Sequence, residues 1–360
     1  MKRHGNLFKE IVSFENLYLA SRKARKGKRF KDSVMLFEKN IEEELFKLQG
    51  QLAGKTYTPG DYREFTIYER KPRKISAAPY RDRVVHHALC NVIEPIFEKA
   101  FIFDSYACRK GKGTHRAVER FTEFCRKNKF ILKMDIKKYF PSMDHAILLE
   151  KIGRKIKCPD TLWLIKKIID GSNRQEGVCE YFPGDDLLTP VQRRRGIPIG
   201  NLTSQFFANI YLDGLDHFAK EKLRCMYYIR YVDDISIFGN DKRALWTVLD
   251  QIGEFLAGDR LKLHPQKTYV APVAIGVDHL GYRIYPTHRR LRKDNSMQFR
   301  RKLAKMARLF KRGRMSLARV NESVQSWIGH ARHADTYGLR RDIFGNIIFS
   351  PARRENSGRA

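Results

Sequence analysis

Two neighbouring carboxylates in the second half of the chain could bind a metal ion. Asp233 and Asp234 lie between two runs of apolar, β-branched and aromatic residues, at 226–232 and 235–238. This pattern predicts a β-hairpin with both carboxylates at its tip. Adjacent aspartates repel each other, whereas a hard cation such as Mg²⁺ or Mn²⁺ prefers such oxygen ligands. Taken alone, the residues 231–234 are also explained by a solvated turn, which is the commoner case.

A third aspartate follows an apolar run earlier in the chain. Residues 130–134 read as a buried strand, and Asp135 follows them before a turn at Pro141. A buried aspartate is costly unless it is paired or bound to a metal ion. If the two strands are adjacent, Asp135 and Asp233 meet. Carboxylates from separate strands are what two metal ions about 4 Å apart require in phosphoryl transfer.

The overall charge predicts an anionic partner. The 360 residues include 71 Lys and Arg against 40 Asp and Glu, which gives a net charge of +31. A chain this basic is expected to bind nucleic acid. The sequence shows no signal peptide and no long uncharged apolar stretch, which argues against a membrane as the partner. The six cysteines form no Cys-x-x-Cys pair, so reduced thiols in a cytoplasmic protein are expected rather than a zinc site.

Apolar spacing predicts the elements that must position the carboxylates. Positions three and four apart predict one amphipathic helix from Ser33 to Leu52, with Ser33 as its N-cap. Short strands joined by turns are expected between Thr56 and Ala78, and a helix follows from Arg81. Further helices are predicted at 117–124, 144–172, from 202 onward, 244–256 and 320–334, and further strands within 261–270 and 279–284.

Three basic or glycine-containing segments could approach a nucleotide or nucleic acid. Guanidinium groups in 70–74 lie on the predicted strand-turn-strand and can pair with phosphate oxygens. The loop 103–115 has two glycines among basic residues, which permits close backbone approach. The turn 196–201, with two glycines and a proline, leads into a helix and could lie against a base pair. Each segment is also explained as an ordinary loop.

The order of these motifs resembles that of a reverse transcriptase over about residues 55–340. It runs from the Asp135 strand through the glycine turn, the Tyr-x-Asp-Asp hairpin, a turn at Lys267 and the strand 280–282 to basic helices. Segment 199–205 (Ile-Gly-Asn-Leu-Thr-Ser-Gln) is similar to the signature of diversity-generating retroelement enzymes. Segment 326–331 (Ser-Trp-Ile-Gly-His-Ala) is similar to their thumb.

Group II intron enzymes are similar to the chain at 81–85 and 208–212. They usually have Pro-Gln-Gly where this chain has Pro198, Ile199 and Gly200, and they often extend into a further DNA-binding or endonuclease region. The resemblance therefore favours the retroelement group. The alternatives left open are a group II-like or other bacterial reverse transcriptase and a basic RNA-binding scaffold that has lost catalysis. Retention of all three aspartates argues against the scaffold.

The resemblance implies an α+β fold shaped as a right-hand polymerase, with fingers, a ferredoxin-like antiparallel palm sheet and a helical thumb. It implies a basic N-terminal extension and first helix at 1–54 and interleaved fingers and palm at 55–288. A basic helical thumb would follow at 289–345, and a disordered tail at 346–360.

The resemblance also implies roles for individual residues. The catalytic set is Asp135, Asp233, Asp234 and Lys267, and the carbonyl of Ile136 would join the aspartates in holding two Mg²⁺ ions, with Mn²⁺ as a substitute. Phe140 would be a steric gate against a ribose 2′-OH. The remaining implied residues contact the nucleotide (Arg73, Arg81, Ile199 and Gly200) or the nucleic acid (Arg109, Lys110, Lys112, Arg300, Arg301, Lys305 and Arg308).

The implied activity is error-prone synthesis of cDNA from a template RNA, with errors at template adenines. The implied partners are the template RNA, the cDNA, dNTPs and a small, oligomeric helical accessory protein, in the cytoplasm of a bacterium or as a phage product. Ile199 replaces the usual Gln, and the loss of polar contacts at the incoming nucleotide should lower discrimination. Alternatively, Ile199 simply packs under the fingers.

Overall fold

The computed structural model describes residues 3–68, 72–172, 177 and 179–350. The basic residues predicted at 70 and 71, and most of the tail predicted at 346–360, lie outside the described residues. The helices are α1 (Phe8–Ile11), α2 (Phe14–Ala24), α3 (Asp32–Lys39), α4 (Ile41–Ala53), α5 (Tyr80–Glu98), α6 (Thr114–Lys127), α7 (Tyr139–Ser142), α8 (His145–Gly153), α9 (Pro159–Asp170), α10 (Thr189–Gln192), α11 (Leu202–His217), α12 (Lys242–Gly258), α13 (Lys293–Lys311), α14 (Leu317–Ala331) and α15 (Tyr337–Gly345). The strands are β1 (Arg63–Tyr68), β2 (Pro72–Ala77), β3 (Phe130–Asp135), β4 (Tyr228–Tyr231), β5 (Asp234–Gly239), β6 (Tyr269–Pro272), β7 (Val277–His279), β8 (Tyr282–Ile284) and β9 (Arg289–Leu291).

The described strands form three sheets, of order β1-β2, β4-β5-β3-β6 and β7-β8-β9. The β1-β2 and β4-β5 pairs are antiparallel, and in the latter Tyr228 pairs with Ile237 and Tyr231 with Asp234. The chain is therefore a mixed helical and antiparallel-sheet protein, as the sequence predicted. The hairpin predicted around the two carboxylates is present, and β5 and β3 are neighbours.

The chain divides into two compact units. The first contains the residues up to Gly113 together with Leu132–Ile237 and Arg243–Tyr269. The second contains Thr114–Ile131, Phe238–Lys242 and the residues from Val270 onward. These boundaries cross the predicted ranges of fingers, palm and thumb, and that division of the chain remains a prediction.

Helices α5 and α11 form the interior of the first unit. Both are apolar around most of their circumference, which is typical of a helix buried on several sides. Helix α5 packs against α2 and α11. The fully buried residues include Leu17 of α2, Val84 and Leu89 of α5, and Tyr211 of α11. Helix α11 also contacts β4 through Asp216 and Arg230.

The prediction of one helix from Ser33 to Leu52 is wrong. The chain forms α3 and α4, which are separated by Asn40, and α3 has Lys31 rather than Ser33 at its N-cap. Asn40 leaves helical geometry with φ −121° and ψ 43°. Apolar positions on both sides of the break keep helical spacing because both helices bury a face, and the break is therefore invisible in the periodicity.

The second unit combines the β7-β8-β9 sheet with α13, α14 and α15. The single strand predicted at 279–284 is a hairpin instead, because Leu280 (φ 46°) and Gly281 (φ 92°) form a turn of left-handed residues between β7 and β8. Strand β9 lies in a region predicted to be helical. Trp327 of the predicted thumb segment stacks on Phe299, with ring centroids 4.1 Å apart, and forms the helical core of this unit.

Candidate active site

The turn between β4 and β5 presents Asp233. Val232 adopts a left-handed conformation with φ 57°, which is strained for a β-branched residue. The chain therefore reverses direction within Val232 and Asp233, and Asp234 already belongs to β5. The side chain of Asp233 is partly buried. The turn places the two carboxylates of the pair in different surroundings.

Asp135 and Asp233 are brought together at the ends of adjacent strands. The Ile136 N–H donates to the carbonyl oxygen of Asp233 at 3.4 Å. On the other side of Asp135, its carbonyl accepts from His264 N–H at 2.7 Å. The backbone around Asp135 is therefore fixed between the hairpin turn and the 262–264 segment, as the sequence predicted for adjacent strands.

Lysines contact two of the three carboxylates. Lys267 Nζ lies 2.5 Å from Asp135 Oδ2, which places the predicted lysine in the site. Asp234 forms an ion pair with Lys133, a largely buried residue of β3 that the sequence reasoning missed. Its signal was a single cation inside the apolar run 130–134. Asp234 thus faces the sheet, whereas Asp233 faces Asp135.

Burial and the neighbouring charge of Asp135 raise the pKa of Asp233 from 3.8 to about 6. A carboxylate in a poorly solvated position beside another carboxylate is costly to ionise. A divalent cation between the two would remove this cost and compete with the proton. The electrostatics of the pair therefore favour a cation.

The donor set fits a divalent cation held by Asp135 and Asp233, with the main-chain oxygen of Ile136 as a further hard ligand. Within the described residues, no three acidic, His or Cys side chains converge on one point as a preformed metal site. Two of the three aspartates are paired with lysines, Asp234 with Lys133 and Asp135 with Lys267. Asp234 would have to leave Lys133 to become a third carboxylate ligand.

The raised pKa of Asp233 predicts a pH-dependent effect of Asp233→Asn on stability. The folded chain binds this proton more tightly than the unfolded chain, so the stabilisation is complete below about pH 4 and is lost as the pH rises through about 6. In the presence of a chelator, Asp233→Asn should therefore unfold with a free energy about 3 kcal/mol higher than wild type at pH 8. The two proteins should converge near pH 4 in urea titrations. A difference that does not vary with pH would contradict the assignment.

A buried ion pair lies beneath the turn. Arg230 and Asp216 both have 0% exposed side chains, with Nη2–Oδ2 at 2.5 Å and Nε–Oδ1 at 2.7 Å. Tyr228 donates its hydroxyl to the same aspartate at 2.6 Å. Arg230 Nη1 also donates to the carbonyl of Val232 at 3.1 Å. The pair therefore supports the left-handed residue next to Asp233.

The sequence reasoning missed this ion pair. The sequence feature that could have revealed it is one charge of each sign inside apolar stretches: Asp216 in α11 and Arg230 in β4. Buried charges need partners, so two such residues are candidates for pairing with each other. The partner cannot be identified from spacing alone, because the two residues belong to a helix and a strand.

Phe140 lies in the short helix α7 that follows the Asp135 strand. Its side chain is partly exposed, and its carbonyl accepts from the Ile197 N–H at 3.0 Å. Ile199 and Gly200 follow in the same loop. The structure therefore brings the predicted steric gate and the predicted nucleotide-binding loop together through their backbones.

The predicted triphosphate residues have different environments. Arg73 is exposed on β2. Arg81 is turned to its neighbours instead, with Nη2 2.5 Å from the carbonyl of Thr58 and 3.3 Å from Asp82 Oδ1. These contacts argue against Arg81 as a triphosphate residue. Two positions later, Arg83 lines a cavity and donates Nε to the carbonyl of Ala78 at 2.8 Å.

This cavity has a volume of about 790 Å³ and lies between the β1-β2 hairpin, α5 and the start of α11. Lys28, Lys31, Arg63 and Arg83 line it, against one acidic residue, Asp61. Burial, together with the charges of Arg83 and Lys31, lowers the pKa of Lys28. Crowded cations of this kind favour an anion in the cavity.

Arg109 does not support its predicted role in nucleic-acid binding. Its side chain is 5% exposed, and Nη2 lies 2.7 Å from Glu98 Oε1. Nη1 donates to the carbonyls of Ile102 and Ser105 at 2.6 and 2.8 Å. Ser105 in turn forms a bridge with Arg230, so Arg109 holds this loop against β4. Arg109 is therefore a structural residue of this loop rather than a nucleic-acid contact.

The other predicted nucleic-acid residues are more accessible. Lys110 is exposed, and Lys112 Nζ donates to the carbonyl of Phe103 at 2.7 Å and lies over its ring. The predicted α13 residues all have exposed side chains, and one of them is paired with Asp342; they are Arg300, Arg301, Lys305 and Arg308.

Among the described residues, no helix is long and apolar enough to span a bilayer.

Comparisons with known proteins identify the family of the chain. The sequence matches the family described as reverse transcriptase (RNA-dependent DNA polymerase) over residues 63–284, a range that contains the three aspartates and Lys267. The chain is 22% identical to Protein YkfC of Escherichia coli in an alignment of 289 positions that covers 69% of this chain and 73% of YkfC. It is 27% identical to the group II intron-encoded protein LtrA of Lactococcus lactis over 210 residues.

The LtrA match covers 58% of this chain but 33% of LtrA, so the chain spans about a third of that relative. A 147-residue match to an uncharacterized 91 kDa protein in the cob intron of Schizosaccharomyces pombe has 31% identity and covers 17% of that protein. The family match covers more than half of the 360 residues. The chain belongs to the reverse transcriptase family, the RNA-dependent DNA polymerases.

Proposed function

We propose that this chain is the reverse transcriptase of a diversity-generating retroelement, which copies a template RNA into error-prone cDNA. The observation that carries the polymerase assignment is the meeting of Asp135 and Asp233 with Lys267 at the ends of adjacent strands. The retroelement assignment is supported by the resemblance of segment 199–205, with Ile199 in the loop that adjoins Phe140.

In this proposal Asp135, Asp233 and the carbonyl of Ile136 would hold two Mg²⁺ ions, or Mn²⁺ in their place, and Asp234 would join them if it left Lys133. When bound, such ions lower the pKa of the primer 3′-OH and stabilise charge on the triphosphate. Lys267, which contacts Asp135, holds a proton where pyrophosphate departs. Phe140 excludes a ribose 2′-OH.

The surrounding cations suit the substrates. Arg73 on β2 is the proposed triphosphate contact, since Arg81 is engaged elsewhere. The basic cavity that contains Arg83 is the proposed groove for the template strand. The exposed Lys and Arg residues of α13 would contact the backbone of the duplex without reading its sequence. A small oligomeric accessory protein remains an implication of the resemblance alone.

A group II-like reverse transcriptase is the second candidate. The observation that favours it is the similarity to LtrA, which is a group II intron-encoded protein. The two candidates differ in their error spectra, because only the retroelement enzyme is expected to misincorporate mainly opposite adenine. Sequencing of cDNA made from a defined RNA template would separate them.

Ile199→Gln is expected to lower misincorporation opposite template adenine. A glutamine could restore about one or two hydrogen bonds near the incoming nucleotide, each worth about 1 kcal/mol. The error rate at adenine should therefore fall about five- to thirtyfold, with smaller changes at the other bases. Deep sequencing of cDNA from one RNA template measures all four rates together.

Ile199→Leu is the matched control, since it keeps an apolar side chain of the same size and should retain the errors at adenine. If Ile199→Gln polymerises normally and its adenine errors equal those of wild type, Ile199 is a packing residue. A wild-type spectrum without excess errors at adenine would instead favour the group II-like candidate.

A further inference from the structure

The loop 196–201 is bonded to the residues that follow the Asp135 strand. Gly196 N–H donates to the carbonyl of Met143 at 2.8 Å, and Ile197 N–H donates to the carbonyl of Phe140 at 3.0 Å. Both Gly196 and Ile197 are buried. The first half of the loop is therefore fixed to the turn that carries the proposed steric gate.

The second half of the same loop is bonded to β2. Ser76 N–H donates to the carbonyl of Ile199 at 3.0 Å. The Asn201 side chain then bonds the strand in both directions: Nδ2 donates to the carbonyl of Ser76 at 2.9 Å, and Oδ1 accepts from Ala78 N–H at 3.2 Å. A side-chain amide thus takes the place of a backbone amide in a strand pairing.

Burial increases the contribution of these hydrogen bonds to the stability of the loop–strand contact. Asn201 is 3% exposed and Ser76 is 1% exposed, so water competes poorly for their polar groups. A buried carbonyl or N–H that loses its partner is destabilised far more than an exposed one. Few other side chains both donate and accept at this distance. Aspartate cannot donate when ionised, serine is too short, and leucine has a similar shape but no polar atoms.

Gly200 permits the close approach on which these bonds depend. Its φ is +118°, and a Cβ at this position would lie 2.7 Å from Cγ2 of Ile75. A side chain here would strain the backbone and push the loop away from β2. Gly200 therefore contributes by its small size, and Asn201 supplies the bonds that follow from it.

One short loop thus links two parts of the nucleotide site. Strand β2 carries Arg73, and the α7 turn carries Phe140. We propose that Asn201 is a positioning residue for the incoming nucleotide, which fixes β2 against loop 196–201 and so sets the separation of Arg73 from Phe140. This inference rests on the proposed polymerase function, and it assigns the residue to nucleotide binding rather than to the chemical step.

The test is Asn201→Leu, measured by the affinity for the next dNTP on a dideoxy-terminated primer–template and by single-nucleotide incorporation. Loss of two buried hydrogen bonds should weaken dNTP binding and raise KM about tenfold. kcat and the affinity for primer–template should stay within about twofold of wild type. Asn201→Ser, which is smaller and remains polar, should show the same split if the leucine variant folds poorly.

Asn128→Leu is the matched control. Asn128 is 6% exposed and donates Nδ2 to the carbonyl of Phe124 at 2.9 Å, but it belongs to the second unit and bonds no residue of the loop. Its dNTP affinity and KM should equal those of wild type. An equal loss in both leucine variants would mean that the effect is general destabilisation and would overturn the inference.

Different results would overturn the positioning role of Asn201 and the polymerase function. An inactive wild type that binds dNTP normally would overturn the polymerase proposal, and the dideoxy complex would still report on Asn201. Unchanged dNTP affinity in both Asn201 variants would overturn the positioning role, even with a fully active wild type. Faster hydrogen exchange of the Ala78 amide in Asn201→Leu, together with weaker dNTP binding, would support it.

Discussion

Asp233→Asn is expected to lower the rate of RNA-templated dNTP incorporation by at least about a thousandfold. The substitution keeps the shape of the side chain but removes the charge that faces Asp135 and the proposed metal ions. Loss of one such ligand removes several kcal/mol of transition-state stabilisation, and each 1.36 kcal/mol corresponds to a factor of ten in rate. Primer extension on an RNA template with Mg²⁺ measures the effect directly.

The fold should survive this change, because the pKa of Asp233 shows that its charge is unfavourable in the folded chain. Asp250→Asn is the control, since Asp250 is exposed on α12 and should tolerate the substitution without loss of rate. Activity that persists undiminished in Asp233→Asn would mean that the β4-β5 turn is not the active site. Loss of activity in both variants would point to an unstable preparation.

Asp216→Asn is expected to have the largest effect on stability. It leaves the Arg230 cation, which is 0% exposed, without its counter-ion. Removal of one partner of a buried pair costs about 3–5 kcal/mol, because the remaining charge is neither paired nor solvated. Urea unfolding should show this loss, and polymerase activity should fall with the folded fraction.

The effect of the Arg230–Asp216 pair on stability can be separated from its effect on the position of Asp233. The triple variant Arg230→Met, Asp216→Leu and Tyr228→Phe removes every charge and hydroxyl of the cluster and should recover most of the lost stability. It also removes the donor to the Val232 carbonyl. We expect its rate to remain about ten- to a hundredfold below wild type, because a misplaced carboxylate loses that much.

The matched control for Asp216→Asn is Asp259→Asn. Asp259 pairs with Lys151 at 2.5 Å in the same unit, with side chains 13% and 8% exposed. This variant should lose stability while the rate per folded molecule is unchanged. If the triple variant is as active as wild type, the buried pair stabilises the fold and has no part in positioning Asp233.

The sequence predicted the hairpin and the neighbouring strand that hold the aspartates, but not the pairing of Asp234 with Lys133. The hairpin around Asp233 and the strand before Asp135 could be predicted because alternating and continuous apolar runs are local signals. Lys267 could be predicted from the resemblance alone. The turn at Leu280 was missed because a leucine is rarely left-handed, and the break at Asn40 because both flanking helices keep the same apolar spacing.

The supporting contacts could not be predicted, for a common physical reason. Lys133 with Asp234, Arg230 with Asp216, and Asn201 with β2 each join residues from different elements, and no periodicity records such a pairing. The side chain of Arg109 shows the opposite error: in sequence it looks like its neighbours Lys110 and Lys112, yet it is buried against Glu98. Burial is decided by the tertiary fold, not by the basic run.

The contacts that assemble the site also determine when it can form. Asn201 and Ala78 are 123 residues apart in the chain, and Lys267 and Asp135 are 132 apart. Contacts between residues so distant require closure of long loops, so they form late in folding. During translation the helices of the first unit can fold early. Asp135, however, lacks its lysine partner until Lys267 has left the ribosome. The contact between Lys267 and Asp135 therefore cannot form while the segment that contains Lys267 is still being synthesised.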